Sequence, residues 1–117
     1  MSERVYWMLE VEILPGQLEN FRTVARDLIA STQSEPDTLA YEWNLTEDES
    51  ACHIFESYRN SDALVAHVKG FHKFAERFMQ ACRPTRFDVY GPANAEAKAI
   101  LADFGPRYYS HLGGFSR

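Results

Sequence analysis

Histidine is the side chain best suited to moving a proton near neutral pH, and the chain has four histidines. Two of them, His67 and His72, fall in a stretch from 64 to 82 whose apolar residues recur at helical spacing. At about 100° per residue, they lie about 60° and 80° to either side of the apolar stripe and about 140° apart. That separation is too wide for two metal ligands on one face, so the sequence predicts no metal site. Each histidine is a candidate general base, or else a boundary residue with one polar edge in water.

Aromatic side chains are the second feature that could support chemistry, at 14% of all residues. Trp7, Tyr41, Trp43 and Phe55 fall on predicted strands, where their rings either line a pocket for a flat ligand or fill the core. The N–H groups of Trp7, Trp43 and Asn44 could donate hydrogen bonds to a ligand oxygen. Successive strand residues point to opposite faces, so Trp43 and Asn44 cannot line one cavity without a bulge.

A regular series of strands and helices positions these residues. Val5 to Leu14 alternates apolar with polar positions and predicts a strand, which Pro15-Gly16 ends. Further strands are predicted at 39–45, 51–58 and 85–91, with helices at 18–33 and at 64–82, the second of which Gly70 could divide. This order, β-α-β-β-α-β, predicts an α+β, ferredoxin-like fold whose helices cover one face of a four-stranded antiparallel sheet. A C-terminal helix from Ala95 to Phe104 and an aromatic tail follow.

The predicted strands carry apolar residues on both faces. Trp7 and Leu9 point to one face of the first strand, and Tyr6 and Met8 point to the other. A sheet with one face in water would be polar on that side. The second face is therefore predicted to be covered, most economically by a second copy of the chain, which makes the protein a homodimer.

Composition excludes several classes of protein. Lys and Arg total 12 against 17 for Asp and Glu, a formal charge of −5, which counts against partners such as nucleic acid or an anionic membrane. No apolar run approaches the roughly 20 residues that span a bilayer. The two cysteines, Cys52 and Cys82, fit a cytoplasmic protein with reduced thiols better than a secreted scaffold.

Short motifs follow the predicted elements in a fixed order. They are Pro15-Gly16, Glu35-Pro36-Asp37, Leu39-Ala40-Tyr41-Glu42, Glu56-Ser57-Tyr58-Arg59-Asn60, Ala63-Leu64, Ala66-His67, His72 and Phe74. This set resembles the antibiotic biosynthesis monooxygenase family, within the dimeric α+β barrel superfamily. The resemblance covers roughly residues 5 to 92. It divides the chain into a domain, 1–92, and a C-terminal extension, 93–117, which is expected to pack on that domain or on the dimer partner.

The resemblance implies a dimeric α+β barrel and two broad activities. One group of members consists of small oxygenases that convert quinols or polyphenolic aromatics to quinones with dioxygen and no prosthetic group. Another group binds and degrades haem, with an Asn on the first strand and a His on the second helix. In this chain those two positions fall at Leu9 and near Ala75.

The sequence thus predicts a cofactor-independent monooxygenase that oxidises a small quinol or polyphenol with dioxygen. The alternatives are a non-enzymatic barrel that binds an apolar ligand, and a haem-binding or haem-degrading variant. The predicted catalytic residues are His67 and His72, one of them the base; the predicted substrate-binding residues are Trp7, Tyr41, Trp43, Asn44, Phe55 and Tyr58. No cofactor is expected, and the predicted partners are a second copy and a small aromatic substrate.

Overall fold

The computed structural model describes residues 3–117, so the first two residues of the predicted domain 1–92 lie outside it. The helices and strands are β1 (Val5–Ile13), α1 (Leu18–Thr32), β2 (Thr38–Leu45), β3 (Ala51–Tyr58), α2 (Ser61–Phe71), α3 (Ala75–Ala81), β4 (Cys82–Tyr90), α4 (Ala95–Leu101), a 3₁₀ turn (Ala102–Phe104) and β5 (Arg107–Tyr109). The predicted α+β, ferredoxin-like order β-α-β-β-α-β is confirmed. None of these helices is long and apolar enough to cross a membrane.

The sheet has a fifth strand that the sequence pattern did not predict. Its strand order is β2-β3-β1-β4-β5, with antiparallel pairs except for β5, which runs parallel to β4. The prediction of four antiparallel strands was therefore wrong in this detail. Gly105 adopts a left-handed conformation, with φ of 65°, that turns the chain after the 3₁₀ turn and returns it along β4. With three residues, β5 is too short to display the alternation that identifies a strand.

The second helical stretch is two helices, and the break falls after Gly70. Asn60 begins α2 by accepting a hydrogen bond from the backbone N–H of Ala63, and α2 ends at Phe71. The chain then turns through residues 72–74 before α3. His67 lies on α2 and is buried, whereas His72 lies in the turn and is exposed. The angles predicted from one continuous helix consequently do not describe this pair.

Pro84 lies inside β4, where a β-bulge accommodates it. Glu10 of β1 pairs with Arg86, but its neighbour Val11 pairs with Pro84, so Thr85 is an extra residue in the register. Proline cannot donate to a ladder and is tolerated in sheets at such irregularities. This explains why β4 begins at Cys82 rather than at the predicted Thr85.

The layer between sheet and helices contains two separate cores. One packs α2 and α4 against the sheet around Val5, Leu64 and Leu101. The other packs α1 and α3 around Val11, Phe21 and Phe78. Leu9, in the centre of the sheet, contacts both cores. The boundary between them, which we call the seam, is where a cavity forms.

The sheet face away from the helices carries a row of aromatic rings, which we call the open face. The Tyr6 ring lies 6.3 Å from Phe55 and 5.1 Å from Tyr90, and Tyr109 stacks 5.0 Å from Tyr90 on the other side. The Tyr109 hydroxyl donates to Asp88, which also accepts from Arg86. Burial would raise the pKa of Asp88, but these hydrogen bonds hold it below its usual range.

Candidate active site

A cavity opens along the seam between the two cores. Its lining residues are Trp7, Leu9, Tyr41, Trp43, Ile54, Glu56, His67, Val68, Phe71, Phe78, Pro84, Phe87, Leu101 and Phe104. The cavity volume that the centre of a water molecule can occupy is about 40 Å³, which is room for several waters. Most of the lining is apolar, so the few polar groups in it decide what the cavity can bind.

An ion cluster of His67, Glu35 and Glu56 provides the charged groups of the site. The Nδ1 atom of His67 lies 2.9 Å from Oε1 of Glu35, and its Nε2 atom lies 3.3 Å from Oε1 of Glu56. The side chains of His67 and Glu56 are 5% and 6% exposed, so both charges are withdrawn from water. Thr38 donates a hydrogen bond to Glu35, and the hydroxyl of Tyr58 donates to Glu56.

Two negative neighbours set the protonation of His67. Burial alone would lower its pKa, but hydrogen bonds to Glu35 and Glu56 and the charges of both carboxylates raise the pKa to about 9. Burial would raise the pKa of Glu35, but hydrogen bonds from His67 and Thr38 hold it below its usual value. His67 is consequently an imidazolium at neutral pH, with one carboxylate on each ring nitrogen.

Two tyrosines beside the cluster stay in the neutral form. Burial and the charge of Glu56 raise the pKa of both Tyr41 and Tyr58 above its usual value. The rings lie 5.2 Å and 5.3 Å from the His67 ring. These hydroxyls can therefore donate hydrogen bonds at any physiological pH but cannot serve as phenolates.

The indole nitrogens of Trp7 and Trp43 are buried donors, and neither has a hydrogen-bond partner among the described residues. Trp43 Nε1 is close enough to the Tyr41 hydroxyl to offset part of the rise in its pKa, but the pair lacks hydrogen-bond geometry. An unsatisfied buried donor costs about 1–3 kcal/mol, and native proteins contain few. Two such donors in the lining of one cavity are available to the acceptor atoms of a bound molecule, whether water or ligand.

The structure brings together half of the residues predicted from the sequence. His67, Trp7, Tyr41 and Trp43 line the cavity, and Tyr58 lies behind it against Glu56. The other three predicted residues lie elsewhere: His72 is in the exposed turn after α2, and Asn44 and Phe55 are on strand positions that face away from the helices. The strand alternation explains these last two, because Trp43 and Ile54 are their neighbours in sequence and both line the cavity.

Glu35 and Glu56 are site residues that the sequence prediction omitted. Glu56 did carry a signal, because it lies between Ile54 and Tyr58 on the face of β3 that points to the core. A carboxylate on a buried strand face requires a partner. Glu35 carried no comparable signal, since it lies in the connection between α1 and β2 and is 32 residues from His67. Within residues 3–117, no group of three or more His, Cys, Asp or Glu side chains is arranged to hold a metal ion.

The chain is similar to known proteins in sequence and in fold. The family model for antibiotic biosynthesis monooxygenases matches residues 4–83. No curated protein matches significantly. Among solved structures, MupZ from Pseudomonas fluorescens superposes with a TM-score of 0.89 at 23% identity, covering 99% of this chain and 96% of that one. SnoaB, a cofactor-independent oxygenase from Streptomyces nogalater, has a TM-score of 0.68 at 12% identity, covering 80% and 97%. Rv0793 from Mycobacterium tuberculosis has a TM-score of 0.68 at 20% identity, covering 78% and 96%.

Proposed function

Because the chain belongs to the antibiotic biosynthesis monooxygenase family, we propose that its cavity oxidises a small quinol or polyphenolic aromatic with dioxygen and without a cofactor. The observation that carries this proposal is the pair of unpartnered indole donors, Trp7 and Trp43, in the same apolar cavity as Glu56 and His67. That combination suits a substrate that enters as a neutral hydroxyarene and reacts as its anion. SnoaB is a cofactor-independent oxygenase with the same fold, and this likeness supports the proposed chemistry.

The proposed reaction needs a proton acceptor and a site that favours an oxyanion. Loss of the hydroxyl proton makes the aromatic ring electron-rich, and the anion passes one electron to dioxygen. The resulting radicals combine into a peroxide anion on a ring carbon that carries hydrogen, and the proton acceptor returns its proton to give the hydroperoxide. Loss of water then leaves a quinone, so one oxygen atom enters the product and the other leaves in water. The protein must accept one proton, stabilise one negative oxygen and exclude bulk water.

The ion cluster supplies the proton acceptor in this proposal. His67 is already protonated at neutral pH, so the carboxylate of Glu56, which lines the cavity, accepts the hydroxyl proton. His67 acts as the adjacent cation and offsets the negative charge that develops. The indoles of Trp7 and Trp43 donate to the substrate oxyanion, as donors that are positioned before the reaction starts. His72 takes no part, because it lies outside the cavity.

Haem, the alternative cofactor implied by the family resemblance, does not fit these residues. His67 is the histidine in the cavity, and both of its ring nitrogens face carboxylates at hydrogen-bond or ion-pair distance. It therefore has no free nitrogen to coordinate iron. The positions that the resemblance assigns to the haem site fall at Leu9 and near Ala75, and neither of these two residues has a polar side chain.

Oxygen consumption tests the proposed reaction directly. With a panel of hydroquinones and polyphenols in the presence of a chelator, at least one compound should raise oxygen uptake above autoxidation, and isotopically labelled dioxygen should place one labelled atom in the quinone. Glu56→Gln should lower kcat by about 10²–10⁴-fold, since it removes the proton acceptor but keeps the shape. His72→Ala is the matched control and should behave as wild type. Uptake that never exceeds autoxidation would instead favour a protein that only binds an apolar ligand.

We also propose that the open face is a homodimer interface. In a single chain its rings of Tyr6, Phe55 and Tyr90 are only half-buried, although they form a continuous apolar row across the sheet. A contiguous exposed apolar patch of this kind is typical of an interaction site. A second copy would cover it with an identical face, which is the commonest arrangement in homo-oligomers.

The mass in solution tests the dimer. We expect twice the 13.5 kDa of one chain by light scattering. Tyr6→Glu should shift the protein toward the monomer, because it places a charge in the centre of the open face. Leu112→Glu is the control, since Leu112 is fully exposed in the C-terminal tail. A wild-type mass near 13.5 kDa would contradict the proposal.

The state of the cysteines supports a cytoplasmic location, which we propose for this protein. Cys52 and Cys82 are free and buried. Burial raises the pKa of Cys52 to about 11 and that of Cys82 to about 12. Thiols that ionise so reluctantly are poor nucleophiles and act as small apolar side chains. Their role is therefore packing, as is usual in a reducing compartment.

A further inference from the structure

Most polar groups of the cavity lie toward β2 and β3, and the Trp7 indole on β1 lies between them and Phe87. Tyr41 and Trp43 on β2, and Glu56 on β3, form the polar end of the cavity, with His67 above them. Phe87 on β4 lies at the opposite end, two strands from β3 in the order β3-β1-β4. Neighbouring strands are about 4.8 Å apart, so the four strands that line the cavity span about 14 Å from β2 to β4. A ligand that fills it must have a polar end and an apolar end.

The apolar end is closed by two side chains from the C-terminal extension, Leu101 and Phe104, which we call the end wall. Leu101 is 1% exposed and belongs to the core under α2 and α4. The Phe104 ring packs between Phe71 and Phe87, at 6.4 Å and 6.3 Å, and is half-buried. Both residues line the cavity.

The end wall does not belong to the family's common domain. The family match ends at residue 83, before α4 begins. SnoaB and Rv0793 cover 80% and 78% of this chain, whereas MupZ covers 99%. A cavity without α4 and the 3₁₀ turn would lack Leu101 and Phe104 and would be open at the β4 end. The extension therefore changes the length of the cavity and leaves its polar end as it is.

We propose that Leu101 and Phe104 determine specificity, and that the substrate is a hydroxyarene with an apolar alkyl or ring substituent opposite the reacting hydroxyl. This inference rests on the proposed function, because it names the substrate class of the same site. The hydroxyl lies between Glu56 and the two indoles, and the substituent extends toward β4. Phe104 limits its length. The 3₁₀ turn that carries Phe104 is followed by Gly105, which has no neighbouring atom close to where a Cβ would lie, so the turn has space around it.

Binding of a homologous series of 4-alkylcatechols, whose alkyl chain lies opposite one hydroxyl, tests the end wall. Each buried methylene should tighten binding about fourfold until the chain reaches the wall, after which the gain should stop. Phe104→Ala should move this limit to chains longer by about three carbons, because it removes the ring that closes the end. Phe104→Leu should give an intermediate limit and serves as the second variant if the alanine variant folds poorly. Phe115→Ala is the control, since Phe115 is 79% exposed in the tail.

Two readouts separate this inference from the proposed reaction. The first is tryptophan fluorescence without oxygen, which reports on the cavity because both tryptophans of the chain line it. The second is oxygen uptake, in which Phe104→Ala should lower KM for the longest alkyl chains at least about tenfold, whereas Phe115→Ala should leave KM unchanged. A length limit in binding without any oxygen uptake would overturn the proposed function but retain the end wall. The proposed role of the end wall would be wrong if the affinity did not depend on chain length, or if wild type and Phe104→Ala had the same length limit.

Discussion

Replacing His67 with alanine is expected to lower the free energy of unfolding by about 3–5 kcal/mol and to abolish turnover. His67 is the cation between Glu35 and Glu56, and the Glu56 side chain is only 6% exposed. Without the imidazolium, two carboxylates would face each other beneath α2 with no counter-charge. Breaking a buried ion pair costs more than the pair contributes, because it leaves an uncompensated charge away from water.

Urea unfolding of His67→Ala and of His72→Ala measures this effect. The exposed His72 provides a matched control, and its replacement should change the free energy of unfolding by less than about 0.5 kcal/mol. The pH dependence gives a second check. The pKa of His67 is about 9 in the folded protein, against 6.5 for an ordinary histidine, so its stabilisation is complete below pH 6.5 and is lost as the pH rises through 9. A His67→Ala variant that is nearly as stable as wild type, or that keeps this decline, would contradict the ion cluster.

Replacing Trp7 with phenylalanine is expected to lower kcat by about 10²–10³-fold, the usual loss on removal of one oxyanion donor. The free energy of unfolding should change little. The smaller ring leaves a void in the core, but the substitution also removes an unsatisfied buried donor, and these two effects have opposite signs. Trp43→Phe should lower kcat in the same way, since its indole nitrogen is equally unpartnered among the described residues.

Steady-state kinetics and thermal unfolding of the two variants distinguish a donor from a packing residue. Tyr108→Phe, which removes a polar atom from an exposed ring in the extension, is the control and should leave both kcat and Tm unchanged. If Trp7→Phe keeps wild-type turnover but loses stability, the indole fills the core and the proposed oxyanion site is wrong. If kcat falls while Tm is unchanged, the indole nitrogen stabilises the reacting oxyanion rather than the folded protein.

The order of strands and helices could be predicted from the sequence because each has a long periodic signal. Every second residue of β1, from Val5 to Ile13, is apolar, and the apolar residues of α1 repeat at helical spacing. The three residues of β5 are too few to repeat. A break in the second helical stretch was predicted at Gly70, because glycine has a poor helix propensity. The break lies instead at residues 72–74, and the helices on either side of it pack in different cores.

The candidate site was only partly predictable, for a related reason. Alternation placed Trp7, Tyr41 and Trp43 on strand positions that face the helices, and that was enough to bring them to the cavity. The partners of His67 depend on contacts between residues far apart in sequence, which periodicity does not contain. The protonation of His67 follows from those contacts and could not be predicted without them.

The seam affects how the two helix pairs can move relative to each other. Each core keeps its own packing, with α1 and α3 in one and α2 and α4 in the other, and Leu9 is among the few residues that contact both. A small sliding movement of one helix pair against the other would widen the cavity and would break only the contacts that cross the seam. Side chains that line the cavity, such as Trp7, Leu101 and Phe78, belong to one core or the other, so a substitution there changes the packing of that core alone. A fold divided in this way can change the width of its cavity while each core stays packed.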